Sequence, residues 1–211
     1  MKIAVIDYGI GNVRSMLSAF ENQGAHVILT RNKEEILESD GVILPGVGAF
    51  SHGMESLNKY SRVEVIKDYR ETNKPFMGIC LGMQMLFDES EEFGKTVGLG
   101  LISGSVIRLP TADTKNEKLP HVSWNELNFK SSKWSGTILD GIKEGSDMYF
   151  VHSFVAKPDN VDNILSITEY SGYKFCSSVK KGNVYGCQFH PEKSGKIGLK
   201  IINNFIRMCE K

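Results

Sequence analysis

The chain has no surplus of either charge, because 25 Lys and Arg stand against 25 Asp and Glu. A protein built to hold a polyanion carries a basic excess on one face, so nucleic acid is not the expected substrate. Cysteine is sparse. Cys80, Cys176, Cys187 and Cys209 form no C-x-x-C pair and stand at no metal-type spacing from a histidine, so neither a metal centre nor a redox pair is indicated. In a reducing compartment all four are free thiols. The start of the chain offers no leader and no membrane span. Ile3–Ile6 is a short apolar run between Lys2 and Asp7, too short for either and suited to a buried strand. A cytoplasmic protein without membrane association is expected. Nucleotide signatures are missing as well. There is no Walker A sequence, and Tyr8-Gly9-Ile10-Gly11-Asn12 begins like a dinucleotide fingerprint but has Arg14 where the third glycine belongs. With no repeat, low-complexity tract or linker, the 211 residues read as one domain over 1–211 with a sizeable core.

What is there begins with alternation. Lys2–Asp7, His26–Thr30, Gly41–Leu44 and Phe76–Ile79 read as strands. Between them, Asn12–Gln23, Lys33–Glu38, Ser51–Leu57 and Arg62–Thr72 read as helices, and Leu81–Phe87 opens another. Such alternation implies parallel strands with right-handed crossovers, hence an α/β layered sheet. The second half changes character. Val106–Arg108, Ser123–Leu127, Met148–Val155, Ile164–Tyr170, Phe175–Lys180 and Asn183–Gln188 read as strands separated by turn residues, which predicts a more antiparallel region. An amphipathic helix over Gly198–Met208 places Leu199, Ile202, Phe205 and Ile206 on one face. Thr111–Lys118 is the most polar insertion and is expected to be a mobile loop.

Three motifs carry chemistry. In Lys74-Pro75-Phe76-Met77-Gly78-Ile79-Cys80-Leu81-Gly82-Met83-Gln84 an apolar strand runs through Gly-x-Cys-x-Gly into a helix, the nucleophile-elbow pattern with cysteine for serine. Gly78 and Gly82 relieve the clashes of a sharp turn. The helix N-terminus favours a thiolate, and the Leu81 N–H falls where an oxyanion donor is needed. A tight structural turn around a buried cysteine is the competing reading. The second motif is Tyr185-Gly186-Cys187-Gln188-Phe189-His190-Pro191-Glu192-Lys193-Ser194. Pro191 pushes His190 into an extended conformation, and residues two apart then face the same way. Glu192 can so orient the imidazole while His190 takes a thiol proton. Cys187, inside a strand with no turn behind it, reads as core. The third is Pro45-Gly46-Val47-Gly48-Ala49-Phe50 after a buried strand, where a loop rims the usual ligand crevice of a parallel sheet and offers a second oxyanion donor.

In this order the motifs resemble the class I, triad-type glutamine amidotransferases, with their three-layer α/β fold. More narrowly they resemble the glutaminase subunits of imidazole glycerol phosphate synthases, from histidine biosynthesis. The likeness runs along nearly the whole chain, through Asp7–Ser15, Pro45–Phe50, Gly78–Gln84, Pro120–Asn125, Tyr149–Ser153 and Phe189–Ser194. It implies that Cys80 attacks the glutamine carboxamide, with His190 as base and Glu192 as its support. It further implies an oxyanion site at Gly46, Val47, Gly48 and Leu81, and glutamine contacts from Gln84, Glu92, His152, Ser153 and Phe154. Glu92 is expected three turns into the segment after the elbow. Asn12, Trp124, Tyr149 and Lys193 match positions that meet a (β/α)₈-barrel cyclase subunit, the partner that receives ammonia. No metal or organic cofactor is implied. Ser123 stands where the family usually has glycine, which bears on the partner contact. Other readings stay open: a glutaminase feeding a sugar amidotransferase of surface-polysaccharide synthesis, a catalytically silent regulator on the same fold, and a hydrolase of γ-glutamyl peptides.

Overall fold

The computed structural model describes residues 1–9, 13–110, 119–129 and 134–210. In its first half the alternating runs become β1 (Lys2–Ile6), α1 (Arg14–Glu21), β2 (His26–Thr30), α2 (Lys33–Glu38) and β3 (Gly41–Leu44), then α3 (Phe50–Lys59), α4 (Arg62–Glu71) and β4 (Phe76–Ile79). A one-turn helix α5 (Leu81–Gln84) follows, then two short strands, β5 (Glu89–Ser90) and β6 (Thr96–Val97). The second half supplies β7 (Gly104–Arg108), β8 (His121–Phe129), β9 (Ser146–His152), β10 (Phe154–Pro158), β11 (Ile164–Tyr170), β12 (Tyr173–Lys181) and β13 (Val184–Cys187), and α6 (Gly195–Cys209) closes the chain.

The sheet runs β2-β1-β3-β4-β13 with every pair parallel. It continues antiparallel through β12 and β10 to β7, and β11, β8 and β9 branch from β12. Both faces of the central strands are covered, which is why β3, β4 and β13 are buried at every position rather than alternating. In β1, Ile3 and Val5 pack on one side with Phe20 of α1 and Ile201, Ile202 and Phe205 of α6. Ala4 and Ile6 pack on the other with Ile36 of α2, Leu57 of α3, and Ile66 and Tyr69 of α4. Those are the three layers of the α/β fold. Phe20 and Phe205 meet edge to face at 6.3 Å with both rings fully buried, each side chain contributing roughly 1.5–3 kcal/mol.

Three expected elements are corrected. The helix after Cys80 ends at Gln84 rather than continuing to Phe87. Leu86 and Phe87 donate to the carbonyls of Met83 and Gln84, three residues back, so the turn tightens and stops. Glu92, expected three turns into that segment, instead follows a short strand, β5, which pairs with β6. Met148–Val155 is two strands, not one, because Ser153 breaks the run between β9, paired with β8, and β10, paired with β7. Thr111–Lys118 lies outside the described residues, as does the start of the expected first helix.

Candidate active site

β4 delivers the chain to Cys80, where the backbone turns to φ 54°, ψ −113° before α5 begins. A non-glycine residue held there costs on the order of 1–3 kcal/mol, and its surroundings over-determine it. The Cys80 N–H donates to the Cys187 carbonyl of β13 at 2.7 Å. A Cβ on Gly78 would lie 2.6 Å from the Gly82 carbonyl oxygen, and one on Gly82 would overlap the Leu44 carbonyl. As first residue of α5, Leu81 has no intrahelical acceptor for its N–H. The Cys80 sulfur sits 3.9 Å from the Val151 carbonyl of β9 and 3.8 Å from Nε2 of Gln188.

His190 follows β13, and its N–H donates to the Tyr149 carbonyl of β9 at 3.0 Å. Nδ1 lies 2.8 Å from Oε1 of Glu192, and both side chains are buried. Burial works against the charged imidazole, but Cys80 and Glu192 outweigh it and push its pKa up to about 9. Nε2 has no hydrogen-bond partner among the described residues and remains available for proton transfer. The expected proximity of His190 and Glu192 is present with a different cause. Glu192 lies in a 3₁₀ turn over Pro191–Lys193 that curls its carboxylate back, rather than in an extended segment.

Cys80 and His190 open onto a cavity of about 300 Å³. Val47, Gly48, Leu81, Gln84, Glu92, His152, Ser153 and Phe154 line it with them. Gly46 is not among the residues lining the cavity; a Cβ there would come within 2.8 Å of Leu81 and of the Tyr8 hydroxyl. The Tyr8 hydroxyl anchors the loop by donating to the Pro45 carbonyl at 2.6 Å. Gly48 has φ 97°, a conformation open to glycine. Glu92 reaches the cavity from the loop after β5, not from a helix. Its carboxylate accepts the Phe50 N–H of α3 at 2.7 Å. Gln84 donates through Nε2 to the Phe154 carbonyl (2.9 Å) and to Oε1 of Gln188 (3.0 Å).

His152 lines the cavity with both ring nitrogens partnered, Nδ1 to the Phe154 carbonyl and Nε2 to Nδ1 of His121, each at 3.0 Å. Burial, reinforced by His121, lowers its pKa to about 3, so it stays neutral. His121 continues to the Ser123 hydroxyl at 2.9 Å and Oδ1 of Asn125 at 2.8 Å. The Ser123 hydroxyl is thus turned toward its neighbours in β8. Beside it, Trp124 and Tyr149 pair across β8 and β9 with ring centroids 5.9 Å apart, and Lys193 lies over the Tyr149 ring. Asn12 lies outside the described residues.

The glutamine amidotransferase class-I family model matches residues 4–209. The chain belongs to the class-I glutamine amidotransferases. Among relatives of this amidotransferase, the "imidazole glycerol phosphate synthase subunit HisH 1" of Legionella pneumophila (strain Lens) is 46% identical over 210 residues, covering 98% of this chain and 99% of that protein. The "imidazole glycerol phosphate synthase subunit HisH" of Aquifex aeolicus (strain VF5) is 45% identical over 212 residues, covering 100% and 99%. A solved glutamine amidotransferase crystal structure superposes with a TM-score of 0.73 at 18% identity, covering 99% of each chain. That likeness speaks to the fold.

Sequence reasoning overlooked several groups at this amidotransferase's site. Gln188 stands two residues before His190, and its spacing on an extended chain could have been read. Pro120, Val151, Tyr8 and His121 lie in stretches that carry the family likeness, but no local spacing points to their place at the site.

Proposed function

We propose that this chain is the glutaminase subunit of an imidazole glycerol phosphate synthase, hydrolysing the side-chain amide of glutamine. The observation that carries the reading is a strained Cys80 on a cavity wall beside His190, whose imidazole is held by Glu192. His190, whose raised pKa keeps its ring charged at neutral pH, holds the proton shared with Cys80, and the sulfur attacks the carboxamide carbon. Negative charge then gathers on the carbonyl oxygen, where the Leu81 N–H and the peptides of Gly46, Val47 and Gly48 act as donors, each worth roughly 3 kcal/mol. The C–N bond breaks, His190 returns the proton, and ammonia leaves a glutamyl thioester. Water, deprotonated by His190, releases glutamate and restores the thiol. Gln84, Glu92, His152, Ser153 and Phe154 hold the substrate, with the Glu92 carboxylate suited to its α-ammonium. The reaction needs neither metal nor organic cofactor.

Trp124, Tyr149 and Lys193 form the face that docks a (β/α)₈-barrel cyclase subunit in the cytoplasm. Ammonia there completes imidazole glycerol phosphate and an aminoimidazole carboxamide ribotide. The synthase-subunit names of relatives at 45–46% identity support this partner over a sugar amidotransferase. The clustering of Cys80, His190 and Glu192 argues against a silent regulator. The test is glutamate release from glutamine by the purified chain, alone and with the barrel subunit plus its nucleotide ligand. A large rise on adding both is expected. Absence of a rise while a glutamine-analogue electrophile still labels Cys80 would leave a glutaminase with a different partner.

A further inference from the structure

Gln188 is fully buried, and its backbone N–H donates to the Ser177 carbonyl at 2.9 Å, so its side chain leaves β13 in a fixed direction. The orientation of its amide follows from a chain of donors and acceptors. The Phe154 carbonyl only accepts, so the Gln84 group facing it at 2.9 Å is the NH₂. That NH₂ also faces Gln188 at 3.0 Å, so the Gln188 atom there is the carbonyl oxygen. The remaining Gln188 group, 3.8 Å from the Cys80 sulfur, is then an N–H donor. Besides His190, which exchanges the thiol proton, the sulfur faces the Val151 carbonyl at 3.9 Å, which only accepts and can partner only a protonated thiol. Val151 and Gln188 therefore suit opposite protonation states. The thiol donates to Val151, and the thiolate accepts from Gln188.

We infer that Gln188 stabilises the Cys80 thiolate once the proton has passed to His190, with Gln84 and the Phe154 carbonyl locking the amide in the donating orientation. This rests on the reading of Cys80 as nucleophile. A hydrogen bond to a charged acceptor in a dry site is stronger than one to the neutral thiol, so the donor favours the form that attacks. Gln84 acquires a second task, because a residue facing the substrate cavity also fixes the direction of a donor behind it.

The experiment is alkylation of the full chain by iodoacetamide from about pH 5 to about pH 10, with the modified cysteine located by peptide mass. In Gln188→Met, which keeps the volume and loses the donor, the midpoint of Cys80 modification should rise by about one pH unit, with about a tenfold slower reaction at neutral pH. Its kcat for glutamine should fall by a similar factor with KM little changed. Gln84→Met should move the midpoint the same way by less, because the Gln188 amide is then free to turn over. This second variant carries the test if Gln188→Met does not fold. A merely structural role would lower the melting temperature and leave the midpoint in place. Midpoints at the wild-type pH in both variants, with Cys80 still the modified residue, would overturn the inference. Failure of Cys80 to react in the wild-type chain would instead remove the nucleophile reading beneath it.

Discussion

In the proposed mechanism, Cys80, His190 and Glu192 divide the chemistry unequally. Loss of the sulfur in Cys80→Ala should abolish glutamine hydrolysis, a fall of about 10³-fold or more, with retained glutamate release refuting the nucleophile. His190→Asn should do nearly as much. Glu192→Gln should cost less, since its carboxylate acts through the ring at 2.8 Å. The same ring gives a pH dependence of known sign. Its folded pKa of about 9 lies above the ordinary 6.5. The folded state therefore keeps a proton there that the unfolded chain releases first. The stability this contributes is complete below the unfolded value and is lost as pH rises through the folded one. Denaturant unfolding should thus find His190→Asn more destabilising at about pH 6 than at about pH 9.5. A cost independent of pH would contradict the raised value. In Glu192→Gln, an NMR titration should place the His190 pKa lower than in the wild-type chain.

At the scale of elements, the site is a set of close approaches that strand ends and turns make possible. α5 presses its first turn against the end of β3, which is why a Cβ at Gly82 has no room beside the Leu44 carbonyl. Gly82→Ala should destabilise the protein by about 3 kcal/mol or more, because the obstacle is backbone rather than a flexible side chain. Thermal unfolding followed by circular dichroism reads this directly, and a melt matching wild type would show that the elbow relaxes easily. The break at Ser153 matters as much. It sends β9 toward β8 and β10 toward β7, so the Val151 and Phe154 carbonyls both face the cavity groups instead of a common ladder.

At the scale of the whole molecule, β9 joins two regions. Tyr149 pairs with Trp124 on an exposed face, while its carbonyl receives the His190 N–H and Val151 approaches the sulfur. A partner bound at Trp124 would therefore rest on the strand that holds the site. Trp124 is 52% exposed, so its removal should leave the fold's stability nearly intact. Trp124→Ala should weaken the proposed complex with a barrel subunit by about 2 kcal/mol, roughly thirty-fold in Kd. Titration calorimetry with the barrel subunit checks this, and unchanged affinity and coupling would move the docking face elsewhere. Among the described residues no helix is long and apolar enough to cross a membrane.

Local residues settle whatever depends on a few neighbours along the chain. The apolar runs of β1, β3 and β4, the glycines flanking Cys80, and the Pro191 that sets the backbone beside His190 all act through local sterics and periodicity, which any reader of the chain can apply. Even there the local rule could give the right neighbours for the wrong reason, since Glu192 reaches His190 through a 3₁₀ turn. Other features were decided only in three dimensions. Strand order sets Gln188 beside a sulfur 108 positions away, and the Val151 carbonyl arrives from 71 away. Ser153 ends a strand that its neighbours alone would have continued, because β8 and β7 claim the two halves. Hydrogen-bond partners across a sheet are chosen by register and layer packing, and neither is written in the spacing of residues along one segment.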